Sequence, residues 1–188
     1  SRTVIGGSRR YVEALGGRLG PAACTRTAVR AVERDSGGVR LHFADGGSRP
    51  FDRVIIATHA DQALSLLAEP SGAERELLGT WRYARSDTWL HSDAGLLSRR
   101  PAAQASWNYH LTDCRAPAPE TTMTYNLNRL QGLETRHRYL VTLNPEVPPR
   151  DALARVTYRH PIFTRESVAA QSALSEINGD RKSTRLNS

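Results

Sequence analysis

Two histidines each stand two residues before an aspartate, His59–Asp61 and His91–Asp93. An imidazole beside a carboxylate can move a proton or supply two ligands to a metal ion. Two ligands do not complete a metal site, and no C-x-x-C spacing adds more. The two cysteines, Cys24 and Cys114, lie far apart and read as buried or half-buried thiols in a reducing compartment. The stretch GGSRR at Gly6–Arg10 is not the G-x-S-x-G elbow of a hydrolase. His160, just before Pro161, reads as a strand-end residue. A second group is chemically richer. Trp107, Asn108, Tyr125, Asn126, Asn128 and Arg129 mix aromatic faces, amides and one guanidinium. Such a set can orient an organic molecule in a pocket. The same residues also suit a sheet with one packed and one wet face. Arg129 keeps its charge and cannot act as a general base.

The elements that must hold these residues follow from periodicity and turn chemistry. Tyr11, Val12, Leu15 and Leu19 share one face of a helix opened by Ser8 and ended by Gly20–Pro21. TAVRAVERD and GVRLHFAD alternate as half-buried strands, and ADGG at Ala44–Gly47 is a hairpin turn. Val54–Ile55–Ile56–Ala57 is apolar on both faces, as in a buried parallel strand. A helix follows over HADQALSLLAE, and Ser71 with Glu74 opens another by a capping box. After Arg82 come β-leaning segments rich in Trp, Tyr, Thr and Asn, including ASWNYHL, TTMTYNLNRL and RYLVTLNP. They predict an antiparallel meander. Thr164 then caps a helix over Arg165–Ile177.

The formal charge is +7. The arginines are scattered among acids with no basic stripe, which argues against nucleic acid as a partner. No apolar run reaches the roughly 20 residues of a membrane span. Peripheral membrane contact stays open, and the cytoplasm is the expected location.

The order of glycine turn, helix, strand, hairpin, buried strand ending in Ala57–Thr58, then helix resembles the flavin-containing amine oxidase and phytoene desaturase superfamily. ASWNYHL, TYNLNRLQGL, LVTLNP and HPIFTRESVAAQSALSEINGD resemble a narrower bacterial group of NAD/FAD-binding, amine-oxidase-like proteins. The resemblance covers nearly everything from Thr3 to Asp180. It implies an α/β fold, α+β within this stretch: part of a doubly wound FAD-binding domain plus a mainly antiparallel substrate-domain sheet with helices. It implies a partial FAD-binding domain over 1–80, a substrate sheet over 81–164, a returning helix over 165–180 and a non-native tail over 181–188. FAD is the implied cofactor. Thr27–Ala28–Val29 falls on a T-x-V motif whose valine offers backbone groups to adenine. Thr58 and His59 would face the cofactor crevice, although His59 departs from the family pattern. Gly6, Gly7 and Ser8 match a glycine turn near the flavin. Trp107, Asn108, Tyr125, Asn126, Asn128 and Arg129 become substrate-side candidates, and no catalytic residue is assigned. The implied activity is hydride transfer to flavin from an organic, hydrophobic or lipid-like small molecule. Many amine oxidases place a lysine near the flavin, and the single lysine here is Lys182. Simple amine oxidation is therefore weakly supported. The rival reading is a non-catalytic α+β ligand-binding domain without flavin.

The chain shows no G-x-G-x-x-G, the turn that cradles FAD pyrophosphate in this superfamily. Its last residues, KSTRLNS, leave the family pattern mid-motif and resemble translated adapter sequence. The expectation is a stretch that binds FAD poorly alone and ends in a loosely packed tail.

Overall fold

A computed structural model describes residues 3–111, 122–178 and 183–185. Cys114 and Asp180 lie outside the described residues. The chain divides into two units, each made of two sequence segments.

One unit comprises residues 19–83 and 161–188. Strands β1 (Val29–Arg34), β2 (Val39–Phe43) and β3 (Ser48–Phe51) form an antiparallel sheet in that order. The hairpin between β2 and β3 turns at Gly46, φ +90°, with the Asp45 carboxylate accepting from Gly47 N–H. At Gly38 a Cβ would lie 2.7 Å from the Phe51 carbonyl oxygen, so only glycine fits. Strand β4 (Val54–Ile56) leads to helix α2 (Ala60–Leu66), and α3 (Gly72–Gly79) follows. Ser71 and Glu74 close the expected capping box on α3. Helix α5 (Arg165–Ala173) is capped by Thr164 and Ser167 and tightens into a 3-10 turn at Leu174–Ile177. Val32, Val39, Ile56, Ala63, Leu67, Leu78, Leu174 and Ile177 form the core. The returning segment thus completes the core that residues 32–78 begin.

Two expectations change here. Ile55 is exposed, so β4 is buried on one face and not two. The backbone of β10 (Ser183–Arg185) pairs in parallel with β4, Ser183 opposite Val54 and Arg185 opposite Ile56. The sequence predicted a loosely packed tail. An open edge beside V-I-I accepts any extended backbone, because ladder bonds read N–H and C=O and not side chains.

The other unit comprises residues 1–18 and 84–160. Helix α1 (Arg9–Leu19) runs through Gly16–Gly17 and ends at Gly20, φ +53°, before Pro21. Its apolar face forms as predicted, yet Tyr11, Val12, Leu15 and Leu19 are all exposed. The meander forms a five-stranded sheet: β5 (Arg82–His91), β6 (Trp107–His110), β7 (Thr122–Asn126), β8 (Leu140–Leu143) and β9 (Ala152–Ile162), in the order β6-β7-β8-β5-β9. TYNLNRL is not all strand. The Asn126 side chain accepts from Arg129 N–H and starts a short helix, α4 (Leu127–Gln131), stopped by Gly132 in the left-handed region. Among the described residues, no helix is long and apolar enough to cross a membrane.

Candidate functional site

The first cluster sits at the carboxyl end of β4. Ile56 anchors the strand in the core, and the chain then emerges through exposed Thr58, whose hydroxyl donates to the His59 carbonyl at 3.3 Å. His59 is the N-cap of α2. Its N–H donates to Gln62 Oε1 at 3.3 Å, and its carbonyl accepts from Ala63 N–H at 2.7 Å. The imidazole stacks on Tyr83, centroids 4.5 Å apart and planes 16° apart. Tyr83 Oη accepts from Ala60 N–H at 2.7 Å, fixing the phenol against the start of the helix. His59 Nδ1 is buried and has no hydrogen-bond partner. An unsatisfied buried polar atom costs about 1–3 kcal/mol. The Gln62 backbone N–H faces the same side chain in a capping-box arrangement, without closing a hydrogen bond to it.

Val29 opens β1 in the same unit. It is half-buried, packs on the core, and pairs with Phe43 across an irregular step between Val29 and Ala31. Strand β1 ends its sheet, with β2 on one side; on the other, Val32 bridges to Leu67 and its carbonyl accepts from Ala68 N–H at 3.0 Å. Its outer N–H and C=O groups near Val29 can address a planar heterocycle without a special side chain. An open strand edge and an orphaned imidazole nitrogen fit the polar rings of a flavin dinucleotide.

Gly6, Gly7 and Ser8 fall in the other unit. Gly6 and Gly7 have φ of +84° and +80°, and a Cβ on Gly7 would meet nothing within 4 Å. Positive φ, not crowding, is what demands glycine there. The Ser8 carbonyl accepts from Val12 N–H, which makes Ser8 the N-cap of α1.

The substrate-side candidates separate by face. Trp107 and Tyr125 are direct cross-strand partners and so share one face of the sheet. Asn108 and Asn126 point to the other face. Asn108 Oδ1 accepts from Ala105 N–H, and its Nδ2 donates to the Ala105 and Thr124 carbonyls. Asn126 is buried as the cap of α4. Asn128 Oδ1 accepts from Tyr139 N–H at 2.7 Å, and its Nδ2 donates to the His137 carbonyl at 2.8 Å. Arg129 Nη1 donates to the Gln104 carbonyl. The amides therefore hold backbone, Arg129 is exposed with Nη1 on a carbonyl, and the two aromatics share the other face of the sheet.

That amide face also carries a buried polar chain centred on His91, which is fully buried. Asp93 N–H donates to His91 Nδ1 at 3.1 Å, so Nδ1 is the unprotonated nitrogen. Nε2–H then donates to Thr142 Oγ1 at 2.8 Å, and the Thr142 and Thr124 hydroxyls lie 2.8 Å apart. The Asp93 carboxylate in turn accepts from Gly95 and Arg150 N–H. These bonds hold Asp93 below its usual carboxylate range, the Arg150 bond contributing most. The H-x-D spacing at His91 was the only sequence signal for this network. Burial pushes the imidazole below its ordinary value, against a smaller upward pull from Asp93. The folded state thus takes up the proton less readily than the unfolded chain. Stability is full above the ordinary value of 6.5 and falls as pH drops through it. The unfolding midpoint in urea should hold from pH 8 to 7 and decline from pH 7 to 5. His91→Gln should flatten that decline.

On the exposed margin, Asp87 accepts from Arg155 Nε and Trp89 Nε1, both at 2.9 Å, while the Arg155 guanidinium stacks 4.8 Å over Trp89. Arg155 beside it is the main cause that lowers the Asp87 carboxyl. Cys24 is an exposed free thiol, where the sequence predicted a buried or half-buried one. It follows a solvent-facing 3-10 turn at Gly20–Ala22 and has no core to enter. Among the described residues, no three histidine, cysteine or acidic side chains gather as a metal would require.

Residues 1–85 match the family described as flavin containing amine oxidoreductase. No curated protein sequence matches the chain. Among solved structures, a CLA-producing fatty acid isomerase from P. acnes shares the fold at TM-score 0.70 and 14% identity, over 97% of this chain and 47% of that one. Reduced UDP-galactopyranose mutase gives TM-score 0.60 at 12% identity, over 92% of this chain and 44% of that one. A putrescine oxidase bound to putrescine gives 0.52 at 12%, over 94% and 33%. The chain spans less than half the length of each. At such identities the likeness is one of fold. The family match itself speaks for residues 1–85 of the 188.

Proposed function

We propose that these residues serve an FAD-dependent oxidoreductase, and that the Val29 edge, Thr58 and His59 hold the cofactor. The observation that carries the reading is the family match over residues 1–85, which includes all three positions. When bound, FAD would accept a hydride from a substrate C–H bond. The chain's own part is to bind, orient and exclude water. The open edge at Val29 presents backbone donors and acceptors. His59 Nδ1 supplies one further hydrogen bond, and Tyr83 keeps the ring in place. Trp107 and Tyr125 contact an organic, hydrophobic substrate, and the amides and Arg129 support the sheet that carries them. An exposed thiol at Cys24 suits a reducing compartment such as the cytoplasm.

The test uses the complete gene product. It should purify yellow, with flavin absorbance and FAD released on denaturation. A colourless product that ignores added FAD would leave the rival, a binding domain without flavin. His59→Phe sharpens the test, because phenylalanine keeps the stack on Tyr83 and removes the orphaned nitrogen. Without cofactor the variant should be as stable as the parent or about 1 kcal/mol more stable. With cofactor it should bind FAD about tenfold more weakly, the value of one hydrogen bond. Unchanged FAD affinity would remove His59 from the site.

A further inference from the structure

One carboxylate fastens two loops at the end of the five-stranded sheet, and a buried imidazole sits beside it. Asp93 Oδ1 accepts from Gly95 N–H at 2.9 Å and caps the 3-10 turn at Ala94–Leu96. Asp93 Oδ2 accepts from Arg150 N–H at 3.0 Å, across 57 positions of sequence, and so holds the start of β9 near the end of β5. The next residue, Asp151, has φ +51°, a left-handed conformation that persists only where the surroundings impose it. Its carbonyl accepts from Ser92 N–H at a long 3.4 Å. The Asp93 carboxylate is therefore the main clasp of this junction. Its own backbone N–H donates to Nδ1 of fully buried His91.

Protonation changes what His91 requires. Nε2–H already donates to Thr142 Oγ1, so an added proton goes to Nδ1. Nδ1–H and Asp93 N–H would then meet donor against donor, and the imidazolium needs an acceptor. Across β5, β8 and β7, the rows His91, Leu140, Asn126 and Trp89, Thr142, Thr124 carry no ionisable neighbour. Farther along β5, Asp87 is paired with Arg155 of β9. On α4, Arg129 donates to the Gln104 carbonyl. Arg150 and Asp151 meet the turn through backbone groups. Asp93 is the neighbour whose charge favours the imidazolium. We infer that His91 and Asp93 form a proton-operated latch: on protonation of the imidazole the Asp93 carboxylate turns to Nδ1–H, leaves Gly95 and Arg150, and frees the start of β9. Burial holds the proton affinity of His91 under its ordinary value, so the latch opens below pH 6.5. Asp93, held below the usual carboxylate range, stays ionised while it does. Thr88 to His91 keep their ladder to β8, so the opening is local and precedes the global loss of stability. The latch lies within one unit and does not depend on the flavin reading.

The test is amide hydrogen exchange on the 188-residue chain at pH 7.5 and pH 5, each rate taken relative to that of an unstructured amide at the same pH. Protection at Asp93, Gly95 and Arg150 should fall about tenfold or more at pH 5, while the protected amides of β7 and β8 hold. In His91→Gln, the side chain still offers an acceptor to Asp93 N–H and a donor to Thr142 but takes no proton. The same three amides should then be equally protected at both pH values. If that variant does not fold, Asp93→Asn serves: its single oxygen cannot hold both loops, so Gly95 or Arg150 should be open at both pH values alike. Protection that holds at all three amides at pH 5 would overturn the inference. So would a fall shared equally by β7 and β8, which is ordinary acid unfolding, or a local fall that persists in folded His91→Gln or depends on pH in Asp93→Asn.

Discussion

Glu74→Ala should destabilise the chain by about 3–5 kcal/mol, the loss expected when one member of a buried ion pair is removed. The Glu74 side chain is fully buried and that of Arg34 is 2% exposed. The pair is bidentate, with Arg34 Nη1 to Oε1 at 2.7 Å and Nη2 to Oε2 at 2.9 Å. Glu74 Oε2 also accepts from Ser71 N–H at 2.8 Å, and Arg34 Nη2 donates to the Glu69 carbonyl. Alanine would leave a guanidinium without its counter-ion in a dry site and undo the cap of α3. A domain's whole stability is about 5–15 kcal/mol, so one substitution removes a large share. The urea midpoint should fall steeply with little change in m-value. The double variant Arg34→Met/Glu74→Leu should recover most of the loss, because two matched apolar side chains remove both desolvated charges together. A loss below 1 kcal/mol for Glu74→Ala would mean that the pair is wet and weak.

Ile177→Ala should cost about 2–5 kcal/mol, as for other large-to-small changes in a packed core. Ile177 is 2% exposed and meets residues that precede it by more than ninety positions, Val32 to Leu78. Val168→Ala, on the exposed side of α5, should stay within about 0.5 kcal/mol. Equal effects at the two positions would mean that the returning segment does not enter the core.

Features set by near neighbours were legible in the sequence. The boxes at Ser71–Glu74 and Thr164–Ser167 and the turn at Asp45–Gly46 need only three or four residues to form, and all stand where predicted. Helix α5 kept its length, tightened in its last turn. Features set by distant partners were not legible. Nothing local marks Arg34 as the partner of a carboxylate forty residues on. Asn108 and Asn128 have pocket chemistry, but carbonyl and N–H groups from the backbone claimed it, and a backbone leaves no trace in residue type. The helical period of α1 was legible and the exposure of its apolar face was not, because period fixes a face and not its cover.

The core closed by Leu174 and Ile177 also sets a timetable. During synthesis, residues 19–83 emerge first, and roughly 80 more, Ala84–His160, follow before the closing segment leaves the ribosome. At about 5–20 residues per second, the half-core waits some four to sixteen seconds with Val32, Ile56 and Leu67 uncovered. The equilibrium cost of so long an insertion is slight, about 2 kcal/mol more than for a ten-residue loop. The burden is kinetic. Faster translation of the insert should therefore raise the soluble yield, as should a chaperone that holds exposed apolar surface.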